Sequence, residues 1–388
     1  MKLKIEQYNL SPQDELPDDI KCPEKLIKKI TKKLKINPTG KNINKTFQWI
    51  KLGEEVLERY SAVNDKLIIN LQYNLARVLY DRSDYDKSKE LLENIIEKCL
   101  KSDIYGSKVM SIFYWLLTLT LLGLNDHENA RNYIDKSITL YKNDSCYNAA
   151  LANVLFHSGE AEEAERYYKK ALKLCINTEG KKHLNTAAIF CEYGNFLLSI
   201  GKISTAKKYL NNAYIILKEK CGIDGLYTLR ALGHISNLLY AEKKYSEAFA
   251  KMKIAYLGLK NILGENDFET LTCKLRCAKI LVKMKNYDEL GNYLEHPFII
   301  AAKNEIMLLF AYDGVIMEAP ELIISKKGPS MMKITAIMER QNIPIIKNYL
   351  LAKKMIDDCY EFEPILPKYY RRIASILSKI WKEEPLNK

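Results

Sequence analysis

The stretch GNFLLSIGKISTAKKYLNNAYIIL, residues 194–217, decides the fold. It carries Gly201, an alanine five positions on (Ala206) and a second twelve positions on (Ala213). The frame recurs with Gly159, Ala164 and Ala171, with Lys243, Ala248 and Ala255, with Asn125, Ala130 and Ser137, and with Ser83, Ser88 and Ile95. Lys285 with Leu290 opens one more unit, whose last frame position falls on Pro297. The anchors at 83, 125, 159, 201, 243 and 285 are therefore 42, 34, 42, 42 and 42 residues apart. A repeat of this length with helical spacing reads as a helical hairpin. Small side chains after the turn let two antiparallel helix axes approach closely, and apolar residues three and four apart fill the seam. Each hairpin leaves a face uncovered, so hairpins stack into a superhelix. A second series keeps the same phase: Gly180, Gly222 and Gly264, each followed six residues later by Thr186, Thr228 and Thr270. Glycine suits the stop of one helix and threonine the N-cap of the next.

Composition fits a helical chain. The 388 residues are 47% hydrophobic and 28% charged, which excludes wholesale disorder, and hold only 16 Gly and 11 Pro, which disfavours a loop-rich β protein. Of the net charge of +12, residues 1–45 contribute +5 (11 Lys against 6 acids) and residues 296–388 contribute +3 (14 basic against 11 acidic). The remaining +4 is spread along the repeats. A diffuse excess makes no stripe for a phosphate backbone, so nucleic acid is not expected as a partner. The nine Cys are scattered through apolar segments, and MKLKIEQYNLSPQDELPDD has no apolar leader character, so reduced thiols in a cytosolic protein are expected. Cys273 and Cys277 read as small buried side chains. Five His without an HExxH or CxxC pattern indicate neither a metal site nor a cofactor. The apolar run Met110–Leu124, interrupted by Ser111, Thr118 and Thr120, is too short to span a membrane and reads as a buried helix. No Gly-rich phosphate loop, Gly-x-Ser-x-Gly or paired loop carboxylates occur, so no enzyme is expected.

The stretch GNFLLSIGKISTA resembles the tetratricopeptide consensus, and the 42-residue variant with its Gly-to-Thr connector is similar to kinesin light-chain-type repeats. The resemblance covers roughly residues 65–295 and implies a tetratricopeptide α-solenoid; with the pattern of the tail described next, the expected fold is mainly α, the solenoid followed by a small α/β C-terminal domain. Six residues before each anchor stand Arg77, Leu119, Asn153, Asn195, Asn237 and Lys279. In tetratricopeptide domains this position lines the concave groove, where asparagine pairs with the backbone of an extended peptide. Asparagine offers both a donor and an acceptor, so it serves a peptide unit without reading its side chain. Arg77, Asn153, Asn195, Asn237 and Lys279 are accordingly the groove candidates, suited to an extended and acidic segment. The alternative role for the asparagines is hairpin packing.

After His296-Pro297 the helical pattern stops. FIIA (298–301), EIMLLFAY (305–312), ELIIS (321–325) and the short stretch 344–346 read as strands, with helices over 329–341, 348–357 and 367–381. AYD (311–313), AP-ELIISKKG (319–328), ERQNIPII (339–346), YLLAKKM (349–355) and ILPKYYRRIASILSKIW (365–381) resemble, in order, the cytoplasmic domain of type III export-apparatus switch proteins, the FlhB/YscU family. That family cuts its own chain at an Asn-Pro-Thr-His motif between the first two strands, through attack of the Asn side-chain amide on its own carbonyl. The corresponding positions here are Ala302, Lys303, Asn304 and Glu305. Ala302 brings no nucleophile and Lys303 no ring, so no autocleavage is expected. Asn37-Pro38-Thr39-Gly40 lies far away in a Lys-rich connector and reads as a turn. The family's four membrane helices have no counterpart.

The expected organisation is an irregular, basic segment over 1–42, a solenoid of about six repeats with a degenerate N-terminal cap over 43–295, and the export-switch-like domain over 296–388. The expected function is a non-catalytic protein-interaction factor of bacterial type III or flagellar protein export. Its partners would be proteins or extended peptides, including export-apparatus components, chaperones or substrates. It would be cytoplasmic, with peripheral association at an anionic inner leaflet. The alternative is a general tetratricopeptide adaptor whose C-terminal domain is a structural cap.

Overall fold

The computed structural model describes residues 22–35, 46–60, 65–102, 105–302, 305–313, 317–328 and 330–383. Contacts divide the chain into a first unit, Met1–Leu238 with Asn261–Leu263, and a second unit, Leu239–Lys260 with Gly264–Lys388. The helices, in order, are α1 (Pro23–Leu34), α2 (Ile50–Tyr60), α3 (Asp65–Asp81), α4 (Tyr85–Ser102), α5 (Ser107–Gly123), α6 (His127–Leu140), α7 (Ser145–His157), α8 (Ala161–Glu179), α9 (Leu184–Ser199), α10 (Ile203–Cys221), α11 (Leu226–Ala241), α12 (Tyr245–Leu263) and α13 (Phe268–Met284). Helix α1 lies in the basic part of the N-terminal segment, over the stretch 24–36 whose sequence reads as helical. Its apolar side chains Leu26, Ile27, Ile30 and Leu34 form one stripe, buried against α3.

The repeat frame is realised in detail. All six anchors take a left-handed backbone: Ser83 (φ 61), Asn125 (58), Gly159 (85), Gly201 (78), Lys243 (61) and Lys285 (58). After each, the next amide donates back to a leucine carbonyl, from Asp84 to Leu79 at 2.9 Å through Asn286 to Leu281 at 3.0 Å. This is the Schellman stop, which satisfies the last carbonyls of the helix. Four of the six residues are not glycine, although glycine adopts this conformation at least cost. The small positions are sealed: Ala164, Ala171, Ala206, Ala213, Ala248 and Ala255 are all 0% exposed. Where serine replaces alanine, its hydroxyl finds a carbonyl of a neighbouring helix. Ser88 donates to Ala76 (2.9 Å) and Ser137 to Ser111 (2.7 Å).

The Gly-to-Thr connector needs a correction. Gly180, Gly222 and Gly264 end α8, α10 and α12 at φ 93, 84 and 104, as expected of stops. The threonines, however, are not N-caps. His183 caps α9 and Asp267 caps α13, each accepting backbone amides of the first turn. Thr186 and Thr228 lie in the first turn of their helices and donate backward to the carbonyls of Gly180 (2.7 Å) and Gly222 (2.8 Å). A hydroxyl is a donor as well as an acceptor, and the carbonyl at the preceding stop, which also accepts the amide of His183 or Gly225, is the group it reaches. Thr270 has lost that partner, and its buried hydroxyl is unpaired.

In the second unit the sixth hairpin does not form, a second correction. After Lys285 the chain makes one 3-10 turn, Leu290–Tyr293, and passes into the sheet through His296 and Pro297. Proline at the last frame position cannot continue a helix. The sheet has strands β1 (Phe298–Ala302), β2 (Ile306–Ala311), β3 (Glu321–Lys327) and β4 (Ile345–Lys347) in the order β3-β2-β1-β4. β1 is antiparallel to β2 and parallel to β4, and β2 is antiparallel to β3. Helix α14 (Ser330–Arg340) connects β3 to β4, and α15 (Tyr349–Asp358) and α16 (Tyr370–Glu383) follow. Phe298, Ile300, Leu308 and Phe310 share a core with Leu351, Met355, Ile373 and Leu377 of α15 and α16, while β2 and β3 also contact α14. β1 and β2 are buried along their whole length, so they read as continuous apolar runs.

Candidate functional site

The inner face of the first unit is defined by a contact across long sequence distance. Asp81, at the end of α3 and 5% exposed in its side chain, accepts the Tyr227 hydroxyl of α11 on both carboxylate oxygens at 3.2 Å. Arg230 of α11 places Nη1 3.6 Å from the same carboxylate, and its Nη2 donates to the Asp81 carbonyl at 2.9 Å. Helices α3 and α11 are first helices of their hairpins, and those of three other hairpins lie between them in the chain. A stack closes in this way only when the first helices run along the inside of its curve.

The sequence candidates are placed as follows. Arg77 of α3 is half-buried, and its guanidinium lies close enough to Tyr73 and Tyr227 to oppose the upward push of burial on their hydroxyls. Asn153 of α7 uses both ends of its amide inside the protein: Nδ2 donates to Glu192 Oε2 at 3.1 Å, and Oδ1 accepts the Tyr168 hydroxyl. Asn195 of α9 is exposed, with Oδ1 3.2 Å from His234 Nδ1. Asn237 of α11 is half-buried. Lys279 belongs to the second unit, where Nζ lies 3.0 Å from Glu321 of β3 and 5.6 Å from the Phe362 ring. The structure thus ties Asn153 to a residue that spacing alone does not single out. Glu192 stands three positions before Asn195, hence on the same helix face, and that spacing was the available signal.

Burial pushes the Glu192 carboxyl up to about 7, with the Asn153 hydrogen bond working the other way. The residue keeps part of its surface open while protein closes round its carboxyl. Its charge is felt by Tyr80 of α3, Cys146 of α7, Tyr168 of α8 and Cys191 beside it, whose acid groups burial already holds above their ordinary values. Asp81, Tyr227, Arg230 and Tyr80 also escaped the sequence reading, because nothing local marks a contact between residues 146 positions apart.

In the second unit, Ala302 ends β1 fully buried and Glu305 precedes β2 exposed, its amide donating to the Ala302 carbonyl at 3.0 Å. Ala302 and Glu305 therefore frame the β1–β2 hairpin turn. Lys303 and Asn304 lie outside the described residues. Gln341 joins α14 to the 3-10 turn, accepting from the Gly291 amide at 2.8 Å and donating to the carbonyls of Tyr287 and Asp288. Cys273 and Cys277 are buried on α13, and among the described residues no three His, Cys, Asp or Glu side chains converge as metal ligands. No helix among the described residues is long and apolar enough to cross a membrane.

Comparison with known proteins gives the class first. Tetratricopeptide repeat family models match residues 112–144 and 145–219, so the hairpins over this stretch match tetratricopeptide repeats, a non-catalytic interaction fold. The model described as the FlhB HrpN YscU SpaS Family matches residues 305–380. The chain therefore joins a tetratricopeptide solenoid to an export-switch-like α/β domain. Among solved structures, NprR in complex with its cognate peptide NprX aligns with a TM-score of 0.55 at 12% identity, covering 95% of this chain and 89% of that one. The APC/C hetero-tetramer Cut9-Hcn1 aligns at 0.48 and 16% identity over 70% of this chain, which spans only 44% of the length of that one. A kinesin light chain of Podosopora anserina with nearly identical TPR-like repeats aligns at 0.37 and 14% identity over 49% of this chain and 93% of that one. At these identities the likeness concerns the fold alone. A search of the curated proteins found no match.

Proposed function

We propose that this protein is a non-catalytic recognition factor of a type III or flagellar protein-export system, acting in the cytoplasm or at the inner face of the membrane. The reading is carried by one observation: a tetratricopeptide solenoid shares its chain with a domain matching the FlhB HrpN YscU SpaS Family. The solenoid takes an extended segment of a substrate, chaperone or apparatus component on its inner face. Asn195 and Asn237 meet the peptide backbone, with Arg77 beside them. NprR, a protein of similar fold, is solved in complex with its cognate peptide NprX, which supports a peptide as the class of ligand. The export-switch-like domain acts in recognition without cutting itself, because Ala302 and Lys303 replace the Asn-Pro on which the family's cleavage depends. A general adaptor with the domain as cap is the second reading, favoured by the ties of Gln341 to the 3-10 turn and of Lys279 to Glu321.

The test uses the full chain as bait against purified export-apparatus components and their substrates, beside the double variant Asn195→Ala, Asn237→Ala. The expected outcome is capture by the natural chain, at least about tenfold weaker capture by the variant, and a single band at 44.9 kDa on a denaturing gel. Undiminished capture by the variant removes the groove, and a fragment starting at residue 303 removes the non-cleaving assignment. A chain lacking 296–388 that precipitates rather than losing a partner selects the cap.

A further inference from the structure

Half-buried carboxylates of the first unit generally have a cation beside them. Glu165 accepts Lys202 at 2.6 Å and pairs with Lys169 at 2.9 Å, which holds its carboxyl down to about 2. Asp81 has Arg230, and Glu54 has Lys87 at 3.0 Å. Glu192 is different. Among the described residues no Lys, Arg or His stands within ion-pair distance, and no cation shifts its carboxyl. Its one hydrogen-bond partner is Asn153, which the Tyr168 hydroxyl in turn holds in place. The carboxylate is thus aimed but not neutralised.

An enclosed, unpaired carboxylate is costly to a folded chain, whose simplest remedy is protonation or an apolar replacement. The cost disappears when a ligand supplies the missing positive charge. The Tyr168–Asn153–Glu192 relay fixes where that charge must sit, on the inner face between α7 and α9, beside the exposed Asn195. We propose that the inner face of the first unit receives an extended peptide segment with one lysine or arginine side chain seated against Glu192. This deepens the groove reading above and rests on it, and it replaces the expectation of a purely acidic segment with one carrying a basic residue at this point. Asn153 becomes a positioning residue for the carboxylate rather than a contact to the ligand backbone.

The pairing is pH-dependent with a definite sign. A cationic side chain pairs with the ionised carboxylate, so binding is weak where Glu192 holds its proton and strengthens as pH rises through 7. The titratable groups that feel its charge are Tyr80 of α3, Cys146 of α7, Tyr168 of α8 and Cys191 of α9, all raised above their ordinary values and hence neutral across this window, and His234 of α11 faces the seat through Asn195 at 3.2 Å. Arg230, whose charge reaches Tyr80, is held by Asp81.

The test presents the full chain with N-acetylated, C-amidated heptapeptide pools. Their central position is fixed as lysine, norleucine or glutamate, and the other positions are randomised. The expected result at pH 8 is about tenfold preference for the lysine pool over norleucine, falling by about tenfold at pH 6. Glu192→Gln, which can still accept from Asn153 and so retains the fold, loses both the preference and its pH dependence. Asn195→Ala with Asn237→Ala weakens all pools alike. Equal retention of the lysine and norleucine pools, or a lysine preference unchanged in Glu192→Gln, overturns the assignment while leaving the groove standing. Retention of no pool, or retention untouched by the asparagine changes, overturns the groove together with it.

Discussion

On the inner face of the solenoid, Asp81 meets a tyrosine hydroxyl and an arginine within hydrogen-bond reach, whereas Glu192 meets one amide and is otherwise enclosed by neutral groups. The two carboxylates belong to the same kind of helix in the same kind of hairpin. The chain neutralises the first with its own side chains and leaves the second without a counter-charge. The contrast separates two uses of a buried charge. A carboxylate matched within the chain holds the fold in one shape, and one left unmatched costs stability and awaits something from outside. Stability alone therefore distinguishes the two sites before any ligand is known.

The largest effect is expected at Asp81. Asp81→Ala removes the acceptor for Tyr227 and strands Arg230, and the expected loss is about 3 kcal/mol, read as a lower midpoint in urea unfolding. A loss near zero would mean that the α3–α11 contact contributes nothing and that the two carboxylates are alike. Glu192→Gln should act in the opposite sense. A carboxyl raised from its ordinary value to about 7 binds its proton more tightly in the folded state, so the natural chain loses stability as pH rises from about 4.5 through 7. The glutamine variant lacks that slope and should be the more stable chain at pH 8, by about 1–3 kcal/mol. Identical pH profiles of the melting temperature for the two chains would contradict the enclosed carboxylate. The smallest effect tests the backbone beside Asp81. Ser83 holds a left-handed conformation and buries an unpaired hydroxyl. Ser83→Gly should stabilise by about 0.5–1 kcal/mol without altering the pH profile, and a loss of stability would show that the turn needs the side chain.

Much of the architecture was legible because it repeats. The anchors, the sealed alanines and the stops at Gly180, Gly222 and Gly264 each recur in phase, so a weak signal at one site is reinforced at the next. The α/β domain was legible for another reason: buried strands such as FIIA and IMLLFA are apolar without alternation and are bounded by turn residues. The end of the repeats is masked in the sequence, because Lys285 and Leu290 keep the frame while Pro297 and the 3-10 turn break it. The threonines carry the residue type of a cap, yet a hydroxyl inside the first turn serves the helix behind it. The charged centre of the inner face was not legible beyond its flanking asparagines. Asp81 and Arg230 are brought together by small rotations accumulated over several hairpins, and no window of sequence carries that sum.

The Asp81–Arg230 contact also acts as a gauge of length. A solenoid built from like units has no intrinsic reason to stop at one number of turns, since each hairpin is content with its immediate neighbours. A pair that meets only after the chain has advanced from α3 to α11 changes this. Gaining or losing a single hairpin between them would carry the two side chains out of reach and leave both charges stranded. Duplication and deletion, the usual ways in which repeat arrays drift, are thereby penalised in this stretch, and the width of the inner face is inherited as a fixed dimension rather than a running total.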